Sequence, residues 1–150
     1  MHKNYLRTII ATGGPIGYIN GGGTVMSFCT LPLIIIISYY MPYLYFGYLV
    51  ILICCSYDII KKILHNYKEK DPKVIVLDEV IGMSIACYHI PLTWYYLLAA
   101  FILFRLFDIF KPLGIHSFES ISGAGGIIAD DMVAGLYTLI IIHATIYAVG

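Results

Sequence analysis

The most constraining feature of this chain is where its charges are missing. No Asp, Glu, Lys or Arg occurs between Arg7 and Asp58, between Glu79 and Arg105, or after Asp131. The nine acidic and nine basic side chains gather at the N-terminus, in residues 58–79, in residues 105–119 and at Asp130/Asp131. Such clumping is what a chain shows when neutral blocks enter lipid and charged blocks stay at its edge, since each ionisable side chain inside a bilayer is costly. Composition agrees. The 150 residues are 60% hydrophobic and 12% charged, against roughly 45–50% and about 25% in soluble domains. Equal numbers of acids and bases leave no basic face for nucleic acid. Cys29, Cys54, Cys55 and Cys87 have no metal-ligand spacing and read as small buried hydrophobes in a reducing setting. Lys3 and Arg7 are followed by glycines instead of an apolar segment, so no cleavable signal is expected.

Prolines divide the neutral blocks. Residues 12–24 are too glycine-rich for a helix and read as a loop. Pro42 falls inside a long apolar run, where it ends or kinks a helix; this predicts two helices, over about 28–41 and 43–66, joined as a hairpin. Pro91 likewise splits residues 76–110 into helices of about 76–89 and 92–110. Val74 to Leu77 is β-branched enough for a strand, but with no second strand to pair with it is kept helical. A Ser/Gly-rich loop over 113–126 precedes a last helix of about 129–148. The expectation is one all-α domain over residues 1–150: a small integral membrane helical bundle with proline-broken hairpins. Each half of the 80–104 block is too short to cross a hydrocarbon core of about 30 Å. A re-entrant, half-sunk pair turning at Pro91 is therefore expected, with a similar hairpin at Pro42, and only 132–149 is expected to cross unaided. All nine cations then face one side, which the positive-inside tendency makes cytoplasmic.

Ionisable residues beside apolar runs in so short a chain are functional candidates. Asp71, Lys73, Asp78 and Glu79 lie in the first such segment. Arg105, Asp108 and Lys111 recur every three residues along one helical face in the second. A glycine run leads into Asp130 and Asp131 in the third. Taken singly, Asp130/Asp131 suit a helix N-terminus and Arg105/Asp108 suit a structural ion pair. Jointly they suit phosphoryl chemistry: carboxylates can hold a hard cation such as Mg²⁺, and Arg and Lys neutralise phosphate oxygens. No cysteine precedes an arginine at the spacing of a cysteine-phosphate enzyme, and the chain has neither an Asp-x-Asp nor a Ser-Gly-His. The histidines are scattered, and His89 and His143 read as structural or interfacial. A different class remains open: a small membrane transporter using an intramembrane carboxylate cluster. A CDP-alcohol phosphotransferase is disfavoured, because its Asp-Gly-x-x-Ala-Arg signature is absent.

Three motifs in order, Asp71-Pro72-Lys73-x-Ile75-Val76-x-Asp78-Glu79-Val80-x-Gly82, Phe104-Arg105-x-Phe107-Asp108-Ile109-x-Lys111-Pro112, and Gly126-Ile127-x-x-Asp130-Asp131-x-x-Ala134-Gly135, resemble the phosphatidylglycerophosphatase A family. Gly23-Thr24-x-x-Ser27 resembles its N-terminal loop. Departures at Gly22, Gly114 and the Gly-Ala-Gly-Gly run touch loops and remove no charged candidate. The resemblance implies a Mg²⁺-dependent membrane phosphatase acting on a phosphorylated glycerophospholipid, phosphatidylglycerophosphate, in a bacterial inner membrane with its site facing the cytoplasm. It implies catalytic roles for Lys73, Asp78, Glu79, Arg105, Asp108 and Lys111, and metal ligands among Asp71, Asp78, Glu79, Asp130 and Asp131.

Overall fold

The computed structural model describes residues 2–69, 72–112, 115, 121 and 123–149. Among them are six α-helices and no strand: α1 (His2–Thr12), α2 (Gly22–Tyr40), α3 (Tyr45–Ile63), α4 (Leu77–Ala86), α5 (Trp94–Phe110) and α6 (Ala124–Val149). Single tight helical turns at Pro42–Leu44 and Leu64–Asn66 extend α3 at both ends.

Two boundaries depart from the sequence expectation because glycines serve packing as well as turning. α1 was not anticipated. It ends where Gly13 and Gly14 take φ of 59° and 65°, and their N–H groups bond back to Ile10 and Ile9 carbonyls, the paired closure typical of a glycine helix stop. α2 starts at Gly22 instead of about 28, since Gly22 and Gly23 belong to the helix and lie against other backbone and side-chain atoms. α6 likewise starts at Ala124 inside the expected loop, where a Cβ on Gly126 would meet the Ile121 carbonyl at 1.9 Å. Val74 to Val76 is neither strand nor helix. It is a turn pinned by Val76 N–H to Ala11 O at 2.9 Å, and α4 begins one residue later.

The Pro42 hairpin forms as expected, with Met41 leaving the helical region at φ −138° and Pro42 opening the next turn. Its first arm is longer than expected and its second matches the expected 43–66 to within a residue. Pro32 is accommodated inside α2, so α2 spans 19 residues, and residues 42–66 form a 25-residue arm. At 1.5 Å per residue α2 reaches about 28 Å. Three helical segments, Gly22–Tyr40, Pro42–Asn66 and Ala124–Ala148, are therefore long and apolar enough to cross a membrane. This corrects the expectation that only the last helix crosses unaided.

The turn at residues 87–93 returns the chain as expected, and α4 is covered by other helices of the bundle. Eight of its ten residues are buried, and it packs chiefly on α6. Glycine makes that contact possible: a Cβ on Gly135 would lie 2.4 Å from the Gly82 carbonyl oxygen, and one on Gly82 would strike the Phe104 ring and the Asp131 carbonyl. Small residues that let backbones meet are the usual device for joining helices where no hydrophobic effect drives them together. On its other side α4 is tied to α3 through Ser84, whose carbonyl accepts from the buried Tyr45 hydroxyl at 2.9 Å and whose Oγ meets Tyr48 Oη at 3.1 Å. The cysteines also depart from expectation. Cys87 is buried, but Cys29, Cys54 and Cys55 are exposed, a setting in which a small apolar side chain is stable when the covering medium is lipid.

Among the described residues, every charge lies toward one end, on α1, the close of α3, the connection from α3 to α4, the start of α4, the close of α5 and the start of α6. The opposite end, where the Pro42 turn meets the 87–93 turn, carries exposed aromatics: Tyr39, Tyr40, Tyr43, Trp94 and Tyr95. Aromatic side chains of this kind favour a membrane–water boundary. In a cysteine-free background, single cysteines replacing Lys68 and Ile121 are expected to react with an impermeant thiol reagent from one face of the membrane. A cysteine replacing Tyr43 is expected to react from the other. Lys68 and Ile121 labelling from opposite faces would contradict the shared end.

Candidate active site

The charged end converges on one buried cluster. α4 begins with Asp78 and Glu79 in its first turn, and the α4–α6 contact brings Asp131 across from them. One carboxylate oxygen from each of Asp78, Glu79 and Asp131 lies within 4.8 Å of the other two. Asp78 is 8% and Asp131 3% exposed. α5 runs back antiparallel to α4 and adds Arg105 and Asp108 from its last turns. Arg105 Nη1 donates to Asp108 Oδ2 at 2.9 Å, lies 4.0 Å from Glu79 Oε1, and reaches Ser27 Oγ on α2 at 3.4 Å. The guanidinium thus links three helices. Its Nε has no hydrogen-bond partner.

Beside this cluster stands a second pair. Lys111, at the left-handed residue closing α5 (φ 46°), puts Nζ 2.5 Å from Asp130 Oδ2. Asp130 Oδ1 accepts from the Asp131 N–H at 3.1 Å, so Asp130 braces its neighbour as well as the lysine.

Among the described residues acids outnumber cations here: Asp78, Glu79, Asp108, Asp130 and Asp131 gather with Arg105, which bonds Asp108 and nears Glu79, and with Lys111, which pairs with Asp130. Burial and then the Asp108 charge push the Glu79 carboxyl above its usual range, against a hydrogen bond from Asp78 and the Arg105 charge. Asp131 lies within electrostatic reach of Asp108, Asp78 and Glu79. Glu79 Oε2 and Asp131 Oδ2 are buried without hydrogen-bond partners. Buried carboxylates in such excess need protons or a cation. Oxygen ligands converging in one pocket fit a hard divalent ion, which needs no more than a few carboxylates because it retains water and substrate oxygens.

The structure brings together most of the residues singled out in the sequence, with two qualifications. Lys73 is exposed and lines a surface cavity with Asn66, Tyr67, Lys68 and Glu69. Asp71 lies outside the described residues. Gly23 and Ser27 were noticed only as motif letters, and their work appears only in three dimensions. A Cβ on Gly23 would lie 1.9 Å from Glu79 Oε1, and Ser27 Oγ donates to the Gly23 carbonyl at 2.8 Å while meeting Arg105. The start of α2 is therefore the wall against which Glu79 and Arg105 are set.

Comparison with known proteins gives the family of the chain. The sequence model of the phosphatidylglycerophosphatase A family matches residues 9–146. The chain belongs to that family. It is 31% identical over 124 residues to a phosphatidylglycerophosphatase A of Escherichia coli strain K12, covering 81% of this chain and 72% of that protein. Identity to a phosphatidylglycerophosphatase A of Haemophilus influenzae is 45% over 75 residues, 49% of this chain and 46% of the relative. Identity to a putative phosphatidylinositol-3-phosphatase of Bacteroides thetaiotaomicron is 42% over 84 residues, 54% of this chain and 53% of the relative. The matches to these last two span about half of the relatives' length. No solved structure matches.

Gly23→Ala is expected to displace the Glu79 carboxylate and lower turnover by about one to two orders of magnitude, the penalty typical of a misplacement near 1 Å. Gly47→Ala, with nothing within 4 Å of the added methyl, is expected to leave turnover unchanged. Steady-state kinetics on the two variants checks this, and equal behaviour would remove the positioning role.

Proposed function

We propose that this chain is a membrane-embedded, Mg²⁺-dependent phosphatase that hydrolyses phosphatidylglycerophosphate to phosphatidylglycerol and inorganic phosphate. The observation that carries the reading is the trio of buried Asp78, half-buried Glu79 and buried Asp131 set beside Arg105, in a chain of this family. Asp78, Glu79 and Asp131 would hold the divalent ion, with Asp71 a further ligand by its motif position. When bound, such an ion polarises phosphoryl oxygens and acidifies water.

The chain's own side chains do the rest. Arg105 presents a planar fork suited to two phosphate oxygens, and its present hold on Asp108, Ser27 and Glu79 fixes the height at which the phosphate rests. In this reading Asp108, bonded to Arg105, accepts the proton of the attacking water. The water oxygen bonds to phosphorus, the bond to the glycerol oxygen breaks, and the proton taken up by Asp108 passes to that oxygen, which leaves as the lipid alcohol. Lys111, held by Asp130, adds positive charge at the same end. Lys73 and Lys68, on the exposed cavity nearby, would draw an anionic headgroup toward the site.

The site sits at the end of the bundle that holds all the described cations, which favours the cytoplasmic face under the positive-inside tendency. The bacterial relatives favour the inner membrane. A transport pathway of carboxylates would need acids toward the far end, where the described residues carry no Asp, Glu, Lys or Arg. The headgroup is the finer variable, since one relative's name specifies an inositol 3-phosphate lipid.

Purified protein in detergent is expected to release phosphate from phosphatidylglycerophosphate faster than from phosphatidylinositol 3-phosphate. EDTA should abolish release and Mg²⁺ restore it; full activity in chelator would overturn the metal-dependent reading. Asp78→Asn and Asp131→Asn should lose about a hundredfold or more in kcat while keeping helical circular dichroism. Arg105→Lys should stay impaired, because a point charge does not replace a planar fork. His89→Ala and His143→Ala should keep substantial activity. Near-wild-type turnover in Asp78→Asn and Arg105→Lys together would refute the assignment of roles.

A further inference from the structure

On the outer wall of the bundle, α3 and α6 part to leave a cavity of about 370 Å³ lined by Ile53, Cys54, Tyr57, Gly125, Ile128, Ala129 and Met132. That is within the roughly 300–1,000 Å³ of small-molecule pockets. No lining side chain is charged. The α6 contribution, Gly125, Ile128, Ala129 and Met132, follows i, i+3, i+4, i+7 spacing, so it forms one stripe along the helix. Gly125 and Ala129 keep the floor of that stripe open. Asp130 and Asp131 follow Ala129 directly, so the groove and the acid cluster occupy the same turns of one helix on different faces. Both walls are helices long and apolar enough to cross a membrane, so a groove on this outer wall is open to lipid when those helices span the bilayer. At its charged end, Lys61 Nζ lies 5.8 Å from the centre of the Tyr57 ring, one turn beyond the groove.

We infer that this groove between α3 and α6 is a binding site for one acyl chain of the phosphorylated lipid substrate, with Tyr57 and Lys61 marking the end where the chain gives way to the headgroup. The inference rests on the proposed lipid phosphatase activity. An apolar channel at the level of Asp130 and Asp131, with a cation at its upper rim, matches a molecule that is apolar below and anionic above. Holding the chain fixes the depth of the phosphate relative to Arg105, so the groove selects substrates by their tails, where the buried cluster selects by the phosphate.

Cys54 and Cys55 supply an internal comparison, since both are exposed and adjacent but only Cys54 lines the groove. Cys54→Trp is expected to raise KM for a long-chain phosphatidylglycerophosphate by about tenfold, the effect of withdrawing roughly two methylenes from burial. Its kcat should change little, and its kinetics on a short-chain, water-soluble analogue should match wild type, which also shows that the variant folds. Cys55→Trp should match wild type on both substrates. Equal effects of the two tryptophans, or an equal loss on short and long chains, would overturn the groove.

A second measurement does not depend on turnover. In Cys29→Ala/Cys55→Ala protein, Cys54 is the one exposed thiol, and long-chain phosphatidylglycerophosphate should slow its alkylation by a membrane-permeant maleimide. Cys55 in the matching Cys29→Ala/Cys54→Ala protein should react at an unchanged rate. Equal rates with and without the lipid at Cys54, or equal slowing at both cysteines as annular lipid alone would give, would overturn the inference. If the wild-type protein released no phosphate from any lipid while Cys54 was still protected, the functional reading would fail and the groove would stand.

Discussion

Four carboxylates around one guanidinium form the arrangement on which the rest of this structure depends. Asp78, Glu79, Asp108 and Asp131 come from three helices, and Arg105 touches two of them directly. Removing such groups from water costs several kcal/mol each unless they are paired, and the second cation, Lys111, is already engaged by Asp130. A cluster of this kind persists only where the surrounding packing over-determines it and where a further positive charge can enter. The glycines at 23, 82 and 135 provide the packing, because each admits a neighbour that a methyl group would exclude. The fold thus uses its closest helix contacts to hold together its least favourable charges.

The same contacts explain the burial of α4. A ten-residue helix carrying two acids is too short to cross a bilayer and too polar at its start to face lipid. Enclosed by α2, α3, α5 and α6, it meets neither problem. Its acids open toward the charged end, and its remaining surface is satisfied by Tyr45, Tyr48, Phe104 and the α6 backbone. The longer helices give the bundle its membrane dimension, and the short helix gives it a site.

Much of this was legible in the sequence. Charge-free blocks and Pro42 and Pro91 defined the helical hairpins, because a proline inside an apolar run and a neutral block of bilayer length act through local sterics and solvation. The three charged motifs pointed to most of the residues that meet. What was not legible was the work of glycine. Gly22, Gly23 and Gly126 read as loop because glycine is the default turn residue, yet here they lie in helices at points of close approach. α1 was missed because its stop signal, Gly13-Gly14, merged with the glycines beyond it. Asp130 and Asp131 looked equivalent in sequence. Their separation, one toward Lys111 and one toward Asp78 and Glu79, depends on the angle at which α6 crosses α4, and no local pattern encodes that angle.

The central claim is that the trio Asp78, Glu79 and Asp131 is a divalent-ion site and not merely a set of mutually strained acids. Mn²⁺, which shares the preference of Mg²⁺ for oxygen ligands, offers the most direct test through its electron paramagnetic resonance signal in solution. Titrating Mn²⁺ into detergent-solubilised wild-type protein should quench the free-ion signal saturably, with Mg²⁺ competing, and Asp131→Asn should weaken that binding by about tenfold or more. Equal Mn²⁺ uptake by wild type and Asp131→Asn, or no saturable uptake by either, would contradict the account.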